Sequence, residues 1–282
     1  MATGFARGAA ARGKRIAFGD PKTRTAIEYS YYSELIFRNN PNIAKPGQEN
    51  APDLEWHGFR RGHRIYNMQH GSDTRWVWNR KFRPPRGEMF FTSDEIEWGK
   101  RHGSDLVIIE PNVARGKTVG PNKQWSPERF RQVAITLKQS MKLNVRQFIY
   151  PGVEHRLEHA KPLDTPTFRH ALAAMAHAKL VITGEGGMHH GAAAMNVPAV
   201  VIFGGFIPPE VTGYDDHINL AHGTACGNYI PCPHCAKAME AITVDMVIQA
   251  AKTLLAPPPA PVTGPDEDIA NGGASVPAEV AP

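Results

Sequence analysis

The sequence VITGEGGMHHGAAAMNVPAVVIFGG, residues 181–205, predicts two buried strands joined by a glycine-rich turn and a short helix. The apolar runs KLVIT and PAVVIF show no polar alternation, as expected of strands that are covered on both faces of a parallel sheet. The glycines permit a tight turn and let a ligand approach the backbone. A helix that begins near Gly187 or Met188 would offer its free N–H groups and the positive end of its dipole to an anion such as a diphosphate.

The same alternation continues on the N-terminal side of this stretch. DLVIIEPNV and NVRQFIY read as strands, and the segment between them reads as a helix, with Ser126 as its N-cap and Pro127 at its first position. A last helix, TVDMVIQAAKTLL, has Thr243 as its cap. This spacing predicts an α/β domain with a parallel sheet, and ligands bind such sheets beyond the carboxyl ends of the strands. Polar loops follow the predicted strands at residues 110–123, 150–155 and 184–190.

Composition bounds the class of protein. The 282 residues are 41% hydrophobic and 21% charged, which indicates a globular protein, and the net charge of +5 favours an anionic ligand without indicating nucleic acid. No apolar run reaches the roughly 18 residues of a membrane span, and no apolar segment follows the basic N-terminus. We therefore expect a cytoplasmic protein. We expect a flexible arm at residues 1–13, an N-terminal domain at 14–103, a C-terminal domain at 104–255 and a disordered Pro/Ala-rich tail at 256–282.

The loops carry the candidate binding residues. Glu185 can accept hydrogen bonds from sugar hydroxyls, His189 or His190 can donate to a phosphate, and Lys117 and Lys123 can neutralise phosphates. The alternative is a structural glycine turn with packed histidines and two solvated lysines. Adjacent histidines on a helix point in different directions, so we expect no metal here.

These segments resemble glycosyltransferase family 9, the ADP-heptose:lipopolysaccharide heptosyltransferases, over residues 105–255 and only weakly in the N-terminal half. The family's Lys-x-Trp-x-x-Glu-x-aromatic segment is matched by Lys123, Trp125, Glu128 and Phe130. Its second motif runs from Asp-(Ser/Thr)-Gly to an apolar strand that ends in Gly, and it is matched at Glu185, Gly186, Gly187, His190, Ala192, Ala193, Ala194, Pro198, Phe203 and Gly204. Glu185 stands where the family has Asp, and Gly186 where it has Ser or Thr.

The resemblance implies a GT-B-like fold of two Rossmann-like domains with parallel sheets, the N-terminal one reduced and irregular here. It implies an inverting transfer of heptose or a related sugar from a nucleotide-diphosphate donor to a glycan such as lipopolysaccharide, without a metal or another cofactor. The donor would bind the C-terminal domain and the acceptor the N-terminal one. The donor-binding residues would be Lys117, Lys123, Glu185, Gly186, Gly187, Met188 and His190. Asp20 would be the general base, although a plain Gly-Asp-Pro turn is the alternative for it.

Two other functions stay open. One is a non-catalytic nucleotide- or nucleic-acid-binding protein on this scaffold, and the other is a nucleotide-sugar epimerase. Peripheral association with a membrane is compatible with a lipopolysaccharide acceptor. The basic, aromatic residues 56–87 fit single-stranded nucleic acid, an anionic glycan or a small irregular core, and no nucleic-acid-binding motif frames them.

All three cysteines lie close together, as Cys226, Cys232 and Cys235, with His222 and His234 nearby. The C-x2-C half is a common zinc pattern, but a second such pair is missing. A zinc site, structural thiols and a redox role are therefore the three interpretations, and structural thiols are the expectation.

Overall fold

The computed structural model of the protein describes residues 1–27, 31–58, 64–69, 74–113 and 119–257. The predicted tail lies outside the described residues from residue 258 onward. The helices are α1 Ala2–Ala10, α2 Tyr31–Phe37, α3 Ser93–Lys100, α4 Pro127–Ile135, α5 Phe168–Met175, α6 Gly187–Ala194, α7 Pro209–Thr212, α8 Pro233–Ala241 and α9 Val244–Leu255. The strands are β1 Arg15–Asp20, β2 Thr25–Ala26, β3 Leu54–Gly58, β4 Leu106–Glu110, β5 Asn144–Ile149, β6 Lys161–Asp164, β7 Ala178–Gly184, β8 Ala199–Gly204 and β9 Ile218–Ala221.

The C-terminal part of the chain forms a six-stranded sheet with the order β6-β5-β4-β7-β8-β9. Every pairing in it is parallel. Numbered from β4 along the chain, this is the 3-2-1-4-5-6 order of the Rossmann fold, in which the direction of winding reverses between the first and fourth strands. The predicted α/β class is confirmed.

Strand β4 shows why this sheet is buried on both faces. Leu106 and Ile108 belong to one hydrophobic cluster, whereas Val107 and Ile109 belong to the cluster on the opposite face. All four side chains are 0% exposed. Because successive strand residues point to opposite faces, an uninterrupted apolar run requires helices on both sides of the sheet.

The two predicted N-cap residues differ in whether their side chains form a cap hydrogen bond. Thr243 accepts a hydrogen bond from Met246 N–H, as expected of an N-cap. Ser126 occupies the predicted N-cap position of α4 and Pro127 its first position, although the Ser126 hydroxyl makes no cap hydrogen bond. The indole of Trp125 lies before this helix instead, 1% exposed, and donates to the carbonyl of Ile242 at 2.9 Å.

The N-terminal part has a small sheet of order β2-β1-β3, in which β1 and β3 are parallel. Residues 1–13 were expected to be a flexible arm, and this is wrong for α1. Ala6 and Ala9 are 0% exposed and pack against Ile16 and Phe18 of β1. Alanine favours helix formation, and at a spacing of three residues two alanines give a smooth face that approaches the sheet closely.

Helix α3 packs on α5 so closely that a Cβ on Gly99 would lie 2.4 Å from the carbonyl oxygen of Ala173. Arg169 of α5 is 0% exposed and forms an ion pair with Glu95 of α3. These contacts set the two parts of the chain in a fixed relation. No described helix has the length and apolar content that crossing a membrane requires.

Candidate functional site

Two adjoining cavities lie at the carboxyl ends of β4 and β7, the point where the sheet reverses its winding. The smaller, of about 100 Å³, is lined by residues 112, 113, 119, 120, 123 and 183–188. The larger, of about 510 Å³, extends to the N-terminal sheet and is lined by residues 1, 2, 5, 18, 57, 58, 64–66, 123, 185–187 and 190. Because Lys123, Glu185, Gly186 and Gly187 line both, the cavities meet at these four residues. The larger volume is in the range of sites that bind small molecules.

Lys123 and Glu185 form an ion pair where the cavities meet, and Lys123 Nζ donates to Glu185 Oε2. The side chains are 19% and 5% exposed, respectively. Burial alone would raise the pKa of Glu185, but the charge of Lys123 and the neighbouring His189 lower it below its ordinary value. Glu185 is thus an ionised acceptor, and with the Lys123 ammonium it forms the charged pair where the two cavities meet.

His189 supports the turn. It is 0% exposed, its Nδ1 accepts from Gly186 N–H at 2.9 Å, and its Nε2 donates to the carbonyl of Thr212 at 2.8 Å. Burial lowers the pKa of His189 to about 4, so the ring is neutral at physiological pH. Donor atoms of Glu185, His189 and His190 lie within 4.8 Å of one another, but both nitrogens of His189 are already hydrogen-bonded. This arrangement fits a structural histidine and does not favour a metal ligand.

Of the two adjacent histidines, His190 is the one that lines the larger cavity. Its Nδ1 lies 3.0 Å from the hydroxyl of Tyr214, and burial lowers its pKa well below the ordinary value. His190 therefore acts as a neutral hydrogen-bonding group. The residue types alone left the choice between the two histidines open, because it depends on contacts more than 20 residues away along the chain, whereas the family resemblance indicated His190.

The glycines of the turn face open space. An added Cβ on Gly186 or Gly187 would meet no atom within 4 Å, and the φ of 163° at Gly186 is extended backbone that other residues also adopt. Met188 lines the smaller cavity next to them. The small residues at these positions leave room above the first turn of α6, where its free N–H groups lie.

The structure does not bring Asp20 to the cavities. Its side chain is exposed, and its carboxylate accepts from the backbone N–H groups of Lys22 and Thr23 at 2.8 and 3.4 Å, which is a turn. Glu34, a second N-terminal carboxylate, is exposed and pairs with Arg38. Lys117 lies outside the described residues.

The N-terminal wall of the larger cavity went unrecognised in the sequence. His57 lines it, with its ring stacked on Phe5 at 4.4 Å between centroids and edge-on to Phe18. Burial lowers the pKa of His57, against the opposing charge of Glu55. The alternation of Leu54, Trp56 and Gly58 with Glu55 and His57 was the available signal for strand β3.

Tyr66, Trp76, Trp78 and Phe82, in the described part of the basic, aromatic segment, pack together. Trp78 is 8% exposed and lies edge-on to Phe206, with ring centroids 5.3 Å apart. These aromatic residues form an irregular core, and residues 64–66 of the same segment also line the larger cavity. Burial and then the charge of Glu185 raise the pKa of Tyr66 to about 12, so this ring also borders the ion pair.

Cys232, His234 and Cys235 lie at the start of α8, and Cys226 lies in the loop that precedes it. None of the four lines either cavity.

A Rossmann-type sheet with a cleft over its reversal point, together with a second small sheet, fits the α/β GT-B-like fold that the resemblance implies. Residues 107–239 match the model of glycosyltransferase family 9 (heptosyltransferase). The resemblance predicted from the two motifs is therefore confirmed over this segment, which is slightly less than half of the chain.

Three solved structures illustrate the likeness. TibC, a bacterial iron-containing dodecameric glycosyltransferase from enterotoxigenic E. coli, is 18% identical with a TM-score of 0.53, over 78% of this chain and 67% of TibC. A family 9 glycosyl transferase from Veillonella parvula is 20% identical with a TM-score of 0.49, over 89% of this chain and 76% of its own. E. coli heptosyltransferase WaaC, solved with ADP, is 17% identical with a TM-score of 0.37, over 53% of this chain and 44% of WaaC. The chain thus spans less than half of the length of WaaC. A search of curated proteins found no match.

Proposed function

We propose that the chain transfers heptose or a related sugar from a nucleotide-diphosphate donor to a glycan acceptor such as lipopolysaccharide, with inversion. The observation that carries this proposal is the convergence of both family motifs on one cleft. There, a cation, an ionised carboxylate and a helix N-terminus surround a space of about 510 Å³. Residues 104–255 bind the donor and residues 14–103 the acceptor.

The leaving diphosphate is stabilised by Lys123 and by the free N–H groups at the start of α6. On donor binding, Lys123 exchanges its contact with Glu185 for a phosphate oxygen, and the freed carboxylate accepts from a sugar hydroxyl. The Tyr214 hydroxyl donates to Nδ1 of His190, which leaves the proton of that ring on Nε2 for a second phosphate contact. Lys123 and the N–H groups at the start of α6 thus supply the positive potential that a metal ion would otherwise supply, and we propose no cofactor.

Inversion requires a base on the acceptor side of the cleft. His57 fits this role, because it lines the same cavity as Lys123 from strand β3 of the N-terminal sheet, and its lowered pKa keeps it unprotonated at neutral pH. The acceptor hydroxyl attacks the anomeric carbon, its proton passes to His57, and the bond from that carbon to the diphosphate breaks. Asp20 remains the base that the family resemblance predicts, and the two assignments are separated by mutation below.

One observation favours a second candidate, a non-catalytic nucleotide-sugar-binding protein. Among the described residues, no carboxylate from the N-terminal sheet lines the cleft. Such a protein would bind the donor as the transferase does and leave it intact in the presence of any acceptor.

The test is a thermal-shift and calorimetric comparison of ADP-, GDP- and UDP-sugars, since a ligand of the native state raises the melting temperature. We expect one nucleotide class to bind, and Lys123→Ala to weaken binding by roughly 10- to 100-fold, as for a charged hydrogen bond. Lys179→Ala is the matched control, because this lysine lies near the start of β7 and pairs with Asp105 instead. If no sugar nucleotide binds, or if Lys123→Ala binds it as tightly as Lys179→Ala does, the assignment of the donor site is wrong. Nucleoside diphosphate release that depends on an added glycan separates the transferase from the binding protein.

A further inference from the structure

The three cysteines and His234 form a compact cluster of metal-binding atoms. Cys226 Sγ lies 3.3 Å from Cys235 Sγ and 3.8 Å from Cys232 Sγ. A ring nitrogen of His234 and the sulfurs of Cys226 and Cys235 all lie within 4.8 Å of one another. In a tetrahedral site with metal–sulfur bonds of about 2.3 Å, neighbouring sulfurs are about 3.8 Å apart. The Cys226–Cys232 separation matches this spacing, whereas Cys226 and Cys235 lie closer. Cys232 lies outside the group of three donors within 4.8 Å and would have to turn its sulfur toward them to complete a four-coordinate site.

Local structure holds these donors in place. Cys232 is the N-cap residue of α8, where the helix dipole favours the thiolate form of its side chain. His234 lies in the first turn of the same helix. Cys226 donates its backbone N–H to Gly205 O at 2.9 Å, while its sulfur accepts from Asn228 N–H at 3.4 Å. A Cβ on Gly205 would lie 2.9 Å from the ring of His234, so this glycine gives the imidazole its room.

We propose that Cys226, Cys232, Cys235 and His234 bind one thiolate-preferring divalent cation, with zinc as the metal that this donor set favours. Cys3His is a common closed set for structural zinc. Binding deprotonates the three thiols and releases their protons to the solvent. The site goes beyond the proposed function and does not depend on it, because none of the four residues lines the donor cleft.

The metal would hold together the segments around the donor loop. Asn122, next to Lys123, accepts from the backbone N–H of Cys232 at 3.0 Å. Its side-chain amide donates to the carbonyls of Asn228 and Ile230 at 3.0 and 2.8 Å. The cysteine loop thus fixes the residue that precedes the phosphate-binding lysine.

The same loop is joined to the N-terminal part of the chain. The backbone N–H of Trp76 donates to the carbonyl of Gly227 at 2.8 Å, and the backbone N–H of Tyr229 donates to the carbonyl of Thr74 at 2.9 Å. A metal at the cluster would therefore brace three segments that are far apart in the sequence. This is the role of a structural site rather than a catalytic one.

The experiment uses the full chain, expressed without a polyhistidine tag and purified in a non-chelating reductant. Elemental analysis should find about one zinc per chain. After a chelator removes it, titration with CoCl2 should give thiolate-to-cobalt charge-transfer absorption that added ZnCl2 displaces. A reduced wild-type chain without stoichiometric metal and without that absorption would overturn the proposal, whatever the variants do.

Variants test the ligand set. Cys226→Ser should lose the cobalt band, and His234→Asn should weaken metal binding by more than the roughly 10- to 100-fold that loss of a supporting residue costs. His222→Asn is the matched control, because His222 is exposed and lies outside the cluster. Full metal retention by Cys226→Ser, or loss in the control but not in His234→Asn, would contradict the assigned ligands.

Discussion

The buried ion pair between α3 and α5 gives the sharpest prediction of stability. Arg169 donates to both carboxylate oxygens of Glu95 at 2.6 and 2.7 Å, and to the carbonyls of Leu35 and Phe90 at 2.7 and 2.5 Å. Arg169 is 0% exposed and Glu95 8% exposed. In Arg169→Met the side chain keeps its apolar stem, while the carboxylate and two carbonyls lose their partners.

We expect Arg169→Met to lower the free energy of unfolding by about 3–5 kcal/mol, the usual cost of leaving one member of a buried ion pair alone. With an m-value of about 3 kcal/mol per molar urea, the unfolding midpoint falls by roughly 1–1.7 M. Tryptophan fluorescence reports the transition, since Trp98 of α3 lies edge-on to His170 at 4.9 Å between centroids.

Two comparisons make the measurement specific. Lys100→Met removes an exposed ion pair with Glu97 on the same helix, and it should cost less than about 1 kcal/mol. Glu95→Gln in the Arg169→Met background removes the stranded charge and keeps the capping bond to Thr92, so it should restore part of the loss. If Arg169→Met costs no more than Lys100→Met, the ion pair does not tie the two parts together as we infer.

The pH dependence has a definite sign. The hydrogen bonds from Arg169 lower the pKa of Glu95 below its ordinary value, although burial opposes them. A depressed carboxyl pKa adds stability that is present above the unfolded pKa of about 4.3 and is lost as the pH falls through the folded pKa. The difference in the free energy of unfolding between the parent and Arg169→Met should therefore become smaller as the pH is lowered.

Three further predictions concern the cleft and the cysteine loop. Gly187→Val should fold normally, because its Cβ meets nothing within 4 Å, yet lose donor affinity by calorimetry; unchanged affinity would place the ligand elsewhere. Gly227→Ala should lower the free energy of unfolding, measured in urea, by more than Gly152→Ala does. Both glycines have left-handed φ, but only the Cβ at 227 would lie 2.2 Å from a backbone oxygen, and equal losses would contradict this. His57→Gln should lower kcat by about 10²–10⁴-fold and remove an acid limb with a pKa below the ordinary 6.5, whereas Asp20→Asn should leave the rate unchanged; the reverse pattern would make Asp20 the base.

The sequence by itself determined the class of fold and predicted several residues that line the cleft. Uninterrupted apolar runs such as 106–109 mean strands buried on both faces, and the carboxyl ends of parallel strands share one edge of a sheet. Lys123 and Glu185 follow two such strands, so local patterns sufficed to place both at that edge. The two family motifs added the class of ligand.

Tertiary structure decided what depends on contacts between distant segments. Strand order makes β4 and β7 neighbours across the reversal point, and only this brings Lys123 onto Glu185. His189 differs from His190 because its ring reaches the carbonyl of Thr212. An alanine-rich N-terminus looks flexible until a sheet face covers it, and only the fold shows that the Asp20 carboxylate accepts hydrogen bonds within a turn. A side chain's role follows from what surrounds it, and this cleft is built from segments that include ones more than 100 residues apart in the sequence.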